Sequence, residues 1–118
     1  MGDNSKKKLT VDGKRKPEIK KSQVSKSLLV EVAWEVCNQV GGIYTVIRSK
    51  APATAQLWGE KYCLIGPYVH QSVSIEFEPT ENPNDPLYVA AQRMREKGYE
   101  VHYGRWLVSG RPKVILVN

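Results

Sequence analysis

A pair of glycines, Gly41 and Gly42, stands between a predicted strand and a predicted helix, and it is the position in this sequence best suited to chemistry. Glycine lets backbone N–H groups come close to a ligand, and the N-terminus of a helix adds positive partial charge. An anion such as a diphosphate would be stabilised there without a cationic side chain. Taken alone, the pair favours a plain tight turn, because it matches neither the dinucleotide fingerprint nor a P-loop.

Two side chains flank the glycine pair, and each has two interpretations. Glu35 falls near the end of the first predicted strand, where it would either hydrogen-bond a ligand or order the loop that follows. Tyr44 falls in the first helical turn, where it would either line a cleft or pack beneath it. The residue types alone leave both questions open.

The remaining chemically active residue types do not form a recognisable motif. Cys37 and Cys63 are far apart and form no CxxC motif, so buried free thiols are expected and no metal site is predicted. His70 and His102 have no Ser, Cys or carboxylate partner at motif spacing, which predicts surface histidines.

The elements that would position the glycines begin with a strand over residues 28–36. Its nearly continuous apolar character favours a parallel sheet covered on both faces. A helix should follow the glycines and stop or kink at Pro52. A second buried strand is predicted over residues 61–65, closed by Gly66 and Pro67, which completes a crossover unit.

Beyond this unit the pattern alternates between strands and one helix. Alternation through residues 73–77 predicts a half-exposed strand. A helix is predicted over residues 86–97, with Asp85 as N-cap, an apolar face and Gly98 just past its end. Two final strands, over residues 106–108 and 114–117, are expected to be joined by a turn. Since nothing follows to cover the last strand, the domain of residues 28–118 is predicted to be truncated.

Positive charge is confined to the start of the chain. Residues 1–27 hold nine Lys or Arg and three acidic residues, which accounts for the entire net charge of +6. This segment has few large apolar residues and is predicted to be a disordered basic tail. A nucleic-acid partner is not expected, because the charge belongs to an arm and not to a basic face of the fold.

Membrane and secretory classes are also excluded by the sequence. No apolar run approaches the ~18 residues that a membrane helix needs, and the basic N-terminus lacks the apolar core of a signal peptide. We therefore expect a cytoplasmic protein without a membrane partner.

The string around the glycines is more specific than the glycines themselves. It closely resembles the start of the eukaryotic glycogen synthases over nearly all of residues 28–118, but not over the tail. The matching residues occur in the same order, as Val32-Ala33-Trp34-Glu35-Val36, Asn38, Val40-Gly41-Gly42-Ile43-Tyr44-Thr45-Val46, Trp58-Gly59, Leu64-Ile65-Gly66-Pro67-Tyr68 and Gly104-Arg105-Trp106-Leu107.

This resemblance implies a fold and an activity. The fold would be an incomplete Rossmann-like N-terminal domain of a GT-B type glycosyltransferase. The activity would be retaining transfer of glucose from UDP-glucose to the non-reducing end of an α-1,4-glucan. No cofactor is implied, and glucose-6-phosphate is the family's allosteric activator. The implied partners are UDP-glucose, glycogen, glycogenin and further copies of the chain.

The resemblance also implies which residues of the loop bind the ligand, and it shows one position at which this chain departs from the family. Gln39, Gly41 and Gly42 would face the sugar nucleotide, and no catalytic residue is implied in this chain. Glu35 and Tyr44 are cleft-lining candidates, and the ligand group that Glu35 would hydrogen-bond is a sugar hydroxyl. Family members carry Lys or Arg at the position of Gln39, and a lost charge-assisted contact to phosphate costs on the order of 1.5–3 kcal/mol. The chain alone is expected to be inactive, and the alternative is a non-catalytic truncated isoform that acts as a binding or regulatory fragment.

Overall fold

The computed structural model describes residues 27–118, which form a mixed α/β fold. The predicted basic tail lies outside the described residues, apart from Ser27. In chain order the elements are β1 (Leu29–Val32), α1 (Gly42–Trp58), a 3₁₀ turn (Gly59–Lys61), β2 (Tyr62–Pro67), α2 (His70–Glu76), β3 (Phe77–Pro79), α3 (Pro86–Glu96), β4 (Val101–Trp106) and β5 (Lys113–Val117).

The strands form one five-stranded sheet in the order β1-β2-β5-β4-β3. β1, β2 and β5 run parallel, whereas β4 is antiparallel to both β5 and β3. The predicted parallel sheet is therefore right for the two pairings among β1, β2 and β5 and wrong for the two pairings of β4, the one of these five strands that runs in the opposite direction. The last two strands are joined by a short connection as predicted and pair antiparallel, but the first of them is β4 (Val101–Trp106) and not residues 106–108, since residues 107 and 108 lie in a bend.

The two faces of the sheet carry separate apolar clusters, because successive strand residues point to opposite faces. On one face, Leu64, Val114 and Leu116 pack in the main core with Tyr44 and Ile47 of α1. On the other face, Val101, Tyr103 and Ile115 pack against Leu87, Tyr88 and Ala91 of α3. The helices α1 and α3 therefore cover opposite faces.

The first strand is shorter and more exposed than predicted. β1 ends at Val32, and residues 34–37 form a turn in which Cys37 has a φ of +56°. β1 is an edge strand, and no described element covers the outer side of Val32, which is 74% exposed. Trp34 lies in this turn and is 70% exposed.

Two other sequence predictions are wrong for identifiable reasons. Residues 73–76 belong to α2, and the strand β3 begins only at Phe77. The spacing that predicted a strand was ambiguous, because Val73 and Phe77 are four residues apart and therefore also fit a helical period. Pro52 does not stop α1, which continues to Trp58, while a kink at Pro52, the other predicted outcome, stays a prediction. Neighbouring Ala51 is fully buried, and a Cβ on Gly110 would lie 2.8 Å from Pro52 Cα, so tertiary packing holds the helix across this position.

The helix α3 matches its prediction closely. It spans Pro86–Glu96, Asp85 Oδ1 accepts a hydrogen bond from the Leu87 N–H at 2.9 Å, and Gly98 follows with a φ of +98°. Its predicted apolar face is only partly buried, since Ala91 is inside while Met94 is 42% exposed. Within residues 27–118, no helix is long and apolar enough to cross a membrane.

Candidate functional site

The glycine pair lies in the loop of residues 33–41, which leads from the carboxyl end of β1 into α1. The carboxyl ends of β1, β2 and β5 share one edge of the sheet because these strands are parallel. Ligands of open α/β sheets bind beyond this edge. A shallow depression of about 230 Å³ is found there, lined by Val32, Ala33, Trp34, Ile65, Gly66, Pro67 and Val117.

The loop is packed tightly onto the end of β2. Val36 is fully buried, and a Cβ added to Gly66 would lie 2.7 Å from Val36 Cβ and 3.0 Å from the Val36 carbonyl oxygen. Only glycine therefore allows the loop to come this close to β2. Val36 fixes the chain directly after Glu35, so the start of the loop has a defined position.

The carboxylate of Glu35 holds the far end of the same loop. Its Oε1 atom accepts hydrogen bonds from the Gly41 N–H at 2.9 Å and the Tyr44 N–H at 2.8 Å. These bonds, with that from Gly41 the stronger influence, lower the pKa of Glu35 below its ordinary value. Of the two interpretations of Glu35, this geometry is that of a loop-ordering residue; contact with a sugar stays a prediction.

The two glycines differ in their surroundings. A Cβ at Gly41 would lie 3.6 Å from Glu35 Oε2, whereas a Cβ at Gly42 would meet no atom within 4 Å. Within residues 27–118, the N–H groups of Gly42 and Ile43 have no hydrogen-bond acceptor. Gln39 is exposed, and its side chain makes no hydrogen bond to the described part of the chain.

Tyr44 packs beneath the loop. It is only 6% exposed, and its ring meets that of Trp106 edge-on at 5.7 Å. Its hydroxyl donates to Glu76 Oε1 at 2.7 Å, and the same oxygen accepts from Trp106 Nε1 at 3.1 Å. Burial and the neighbouring Glu76 raise the pKa of Tyr44 to about 12, so the phenol stays protonated as a donor.

Glu76 was missed by sequence reasoning, which interpreted it as part of a solvated strand face. It is half-buried and joins the first turn of α1 to the end of β4 through Tyr44 and Trp106. The three residues are more than 25 positions apart, so no local pattern in the sequence brings them together. A helical prediction for residues 70–76 would have been the first sign in the sequence that Glu76 does not lie on a solvated strand face.

A buried ion pair was also missed. Lys113 is 1% exposed, and its Nζ lies 2.5 Å from Asp85 Oδ2 and donates to the Glu60 carbonyl at 2.7 Å. The Tyr103 hydroxyl donates to the same carboxylate. Burial would raise the pKa of Asp85, but the hydrogen bonds from Lys113 and Tyr103 outweigh it and lower that pKa.

The cysteines and histidines behave largely as predicted. Cys37 and Cys63 are buried free thiols, and burial raises the pKa of both, that of Cys63 to about 12. His70 is exposed; His102 is half-buried, stacked on Tyr68 at 4.0 Å and 3.0 Å from Glu100. Among residues 27–118, no group of three His, Cys, Asp or Glu side chains could hold a metal ion.

The geometry therefore defines an α/β domain with a carboxylate-ordered glycine loop at the carboxyl edge of its parallel strands. Residues 31–118, which include the whole loop and nearly all of the sheet, match the family model described as glycogen synthase. The chain belongs to the glycogen synthase family, which is a family of glycosyltransferases.

Curated relatives agree with this assignment. The chain is 50% identical over 101 residues to the liver glycogen [starch] synthase of Homo sapiens, covering 86% of this chain and 14% of that protein. It is 49% identical over 96 residues to the glycogen [starch] synthase of Neurospora crassa, covering 81% and 14%. The match to the Caenorhabditis elegans enzyme is 46% over 88 residues, covering 75% and 13%. The chain thus spans about one seventh of the length of these relatives.

Proposed function

We propose that this chain is the N-terminal part of a glycogen synthase of GT-B type. The complete enzyme would transfer glucose from UDP-glucose to the non-reducing end of an α-1,4-glucan, with retention. One observation carries the proposal: the family match runs from residue 31 to residue 118, and so includes the loop, α1 and four complete strands of the sheet. A cytoplasmic location and contacts with glycogen, glycogenin and further copies of the enzyme belong to the same proposal.

The glycine loop would face the donor in this enzyme. Breaking the bond between sugar and diphosphate builds negative charge on the leaving group, and backbone N–H groups held in place stabilise such charge. Gly41 and Gly42 allow close approach of the ligand, and the free space at Gly42 supports this role. Gln39 would add a neutral hydrogen bond where the family resemblance implies a cation.

The chain alone would transfer no glucose. The catalytic carboxylate, the second nucleotide-binding domain and the basic site for glucose-6-phosphate are not assigned to any residue of this chain. The proposed contribution of residues 28–118 is therefore to bind and position the donor, and the chemistry would need the rest of the enzyme.

Donor contact can be tested by NMR on the ¹⁵N-labelled 118-residue chain. UDP-glucose should shift the amide signals of Gly41 and Gly42, while Gly98 and Gly110, on other loops, serve as internal controls. Glucose alone, which lacks the diphosphate, should leave all four signals in place. Saturating UDP-glucose that leaves Gly41 and Gly42 unmoved would contradict the assignment of the donor loop.

A second candidate function is a non-catalytic isoform that binds glycan or full-length enzyme. The uncharged Gln39 favours it, because a binding fragment would not need a strong donor contact. Reading the transcript beyond the codon for Asn118 separates the two candidates. A continuing open frame supports the enzyme, and a stop codon at that point supports the isoform.

A further inference from the structure

Glu35 places a negative charge at the loop that is proposed to receive a diphosphate. On charge alone this is unfavourable, since two anions repel each other and the carboxylate offsets the positive end of α1. The pKa of Glu35 is lowered by its hydrogen bond from Gly41, so the group is ionised at neutral pH. Its presence there needs a compensating role.

The hydrogen bonds of Glu35 suggest that role. One carboxylate oxygen holds two backbone donors, the N–H groups of Gly41 and Tyr44, which are three residues apart. The N–H groups between them, those of Gly42 and Ile43, are left without an acceptor in the described part of the chain. The carboxylate occupies the Gly41 side, and the space at Gly42 is free.

Both ends of this link are anchored in the core. Val36, the residue after Glu35, is fully buried against Gly66. Tyr44 is held from below by Glu76, which also binds Trp106. The carboxylate therefore ties the backbone at Gly41 and Tyr44 to two segments that are packed in the core.

We propose that Glu35 is a positioning residue that sets the conformation of the glycine loop for a nucleoside diphosphate sugar. The proposal rests on the proposed function, which assigns UDP-glucose to this loop. Glu35 acts through the backbone at Gly41 and Tyr44 and needs no contact with the ligand.

The direction in which a charge-removing substitution changes the affinity for UDP-glucose tests the proposal. If Glu35 were only a nearby negative charge, Glu35→Gln would tighten the binding of UDP-glucose. If Glu35 positions the loop, Glu35→Gln weakens binding, by roughly tenfold or more for a lost charge-assisted contact. The dissociation constant is measured on the 118-residue chain from the amide shifts of Gly42 and Ile43.

Two further variants separate geometry from charge. Glu96→Gln makes the same charge change at an exposed position on α3, over the opposite face of the sheet, and should bind like the wild type. Glu35→Asp keeps the charge but shortens the side chain by one methylene, so it should also bind more weakly. Unchanged amide signals outside residues 33–44 show that each variant is folded.

Each outcome decides the proposal. Weaker binding by both Glu35 variants, with altered Gly41 and Tyr44 amide signals before ligand is added, supports it. Wild-type or tighter binding by Glu35→Gln overturns it, and so does wild-type binding by Glu35→Asp when the Gly41 amide signal of that variant has shifted. Should the wild-type chain itself give no ligand shifts at the loop, the proposed donor contact is wrong and the positioning role is overturned with it.

Discussion

Gln39 is the residue at which the loop departs from what the family resemblance implies. Its side chain is exposed beside the glycines and makes no hydrogen bond to the described residues. A lysine there would add a charge-assisted contact to a phosphate. We expect Gln39→Lys to tighten UDP-glucose binding about tenfold, which is the low end of the range for such a contact because the position is exposed to solvent.

The control for this substitution is Gln56→Lys. It adds the same charge at an exposed position near the other end of α1, far along the helix from the glycine loop. NMR titration or calorimetry gives both dissociation constants. Equal tightening by the two variants would mean that bulk charge and not a loop contact is responsible.

For single residues, the sequence indicates which residue types could bind a ligand more reliably than it indicates which side chains are in contact. Gly41 and Gly42 were singled out by their position after a predicted strand, and the free space at Gly42 is compatible with that choice. The two backbone bonds of Glu35 span only six and nine positions and depend on the conformation of the loop, whereas the hydrogen bond between Tyr44 and Glu76 depends on how distant segments meet. Sequence spacing carries no information on such contacts when the partners are 32 positions apart.

Among the elements, α3 and β5 are joined by the buried pair of Asp85 and Lys113. Breaking a buried pair by removing one member costs about 3–5 kcal/mol, and Asp85→Asn would leave Lys113 with only the exposed Glu60 carboxylate, 3.5 Å from its Nζ. We expect Asp85→Asn to lower the free energy of unfolding by about this amount, although asparagine still caps a helix well. Urea denaturation of the 118-residue chain measures the change.

The double variant Asp85→Asn with Lys113→Met tests the reason for this loss. It removes both charges, so it should be more stable than Asp85→Asn alone. A double variant that is less stable than the single variant would show that the pair's charges are not the cause.

The same pair predicts a dependence of stability on pH. The folded pKa of Asp85 lies below its ordinary value of 3.8. A carboxylate with a lowered pKa contributes stability that is fully present above the unfolded pKa and is lost as pH falls through the folded one. The stability of the wild type should therefore fall below about pH 4 by more than that of the double variant, as measured by urea denaturation at each pH.

Elements with strong local signals were predicted well, and elements defined by neighbours were not. The helix α3 carries its own N-cap, an N-terminal proline and a terminal glycine, so its bounds follow from residues 85–98 alone. The short strand β1 ends where the chain turns over β2, and α2 replaces a predicted strand because one spacing fits both periods. In these two places tertiary packing decides the outcome.

For the whole molecule, alternating strands and helices correctly predicted an α/β fold with a parallel portion of the sheet. The order of strands was not predictable, because β5 lies between β2 and β4 and connects segments far apart in sequence. Likewise, exposure of Val30 and Val32 on β1 depends on which half of the sheet α3 covers. The family resemblance came from the order of specific residues, which is stronger information than periodicity.

We propose that residues 28–118 are a working N-terminal piece of a glycogen synthase. The most direct test replaces the matching segment of the human liver enzyme with these residues and measures transfer of glucose from UDP-glucose to glycogen. We expect the chimera to transfer glucose, with a raised KM for UDP-glucose that Gln39→Lys lowers, and the 118-residue chain alone to transfer none. A chimera that unfolds cooperatively but transfers no glucose, even with Gln39→Lys, would contradict the proposed function, as would transfer by the chain alone.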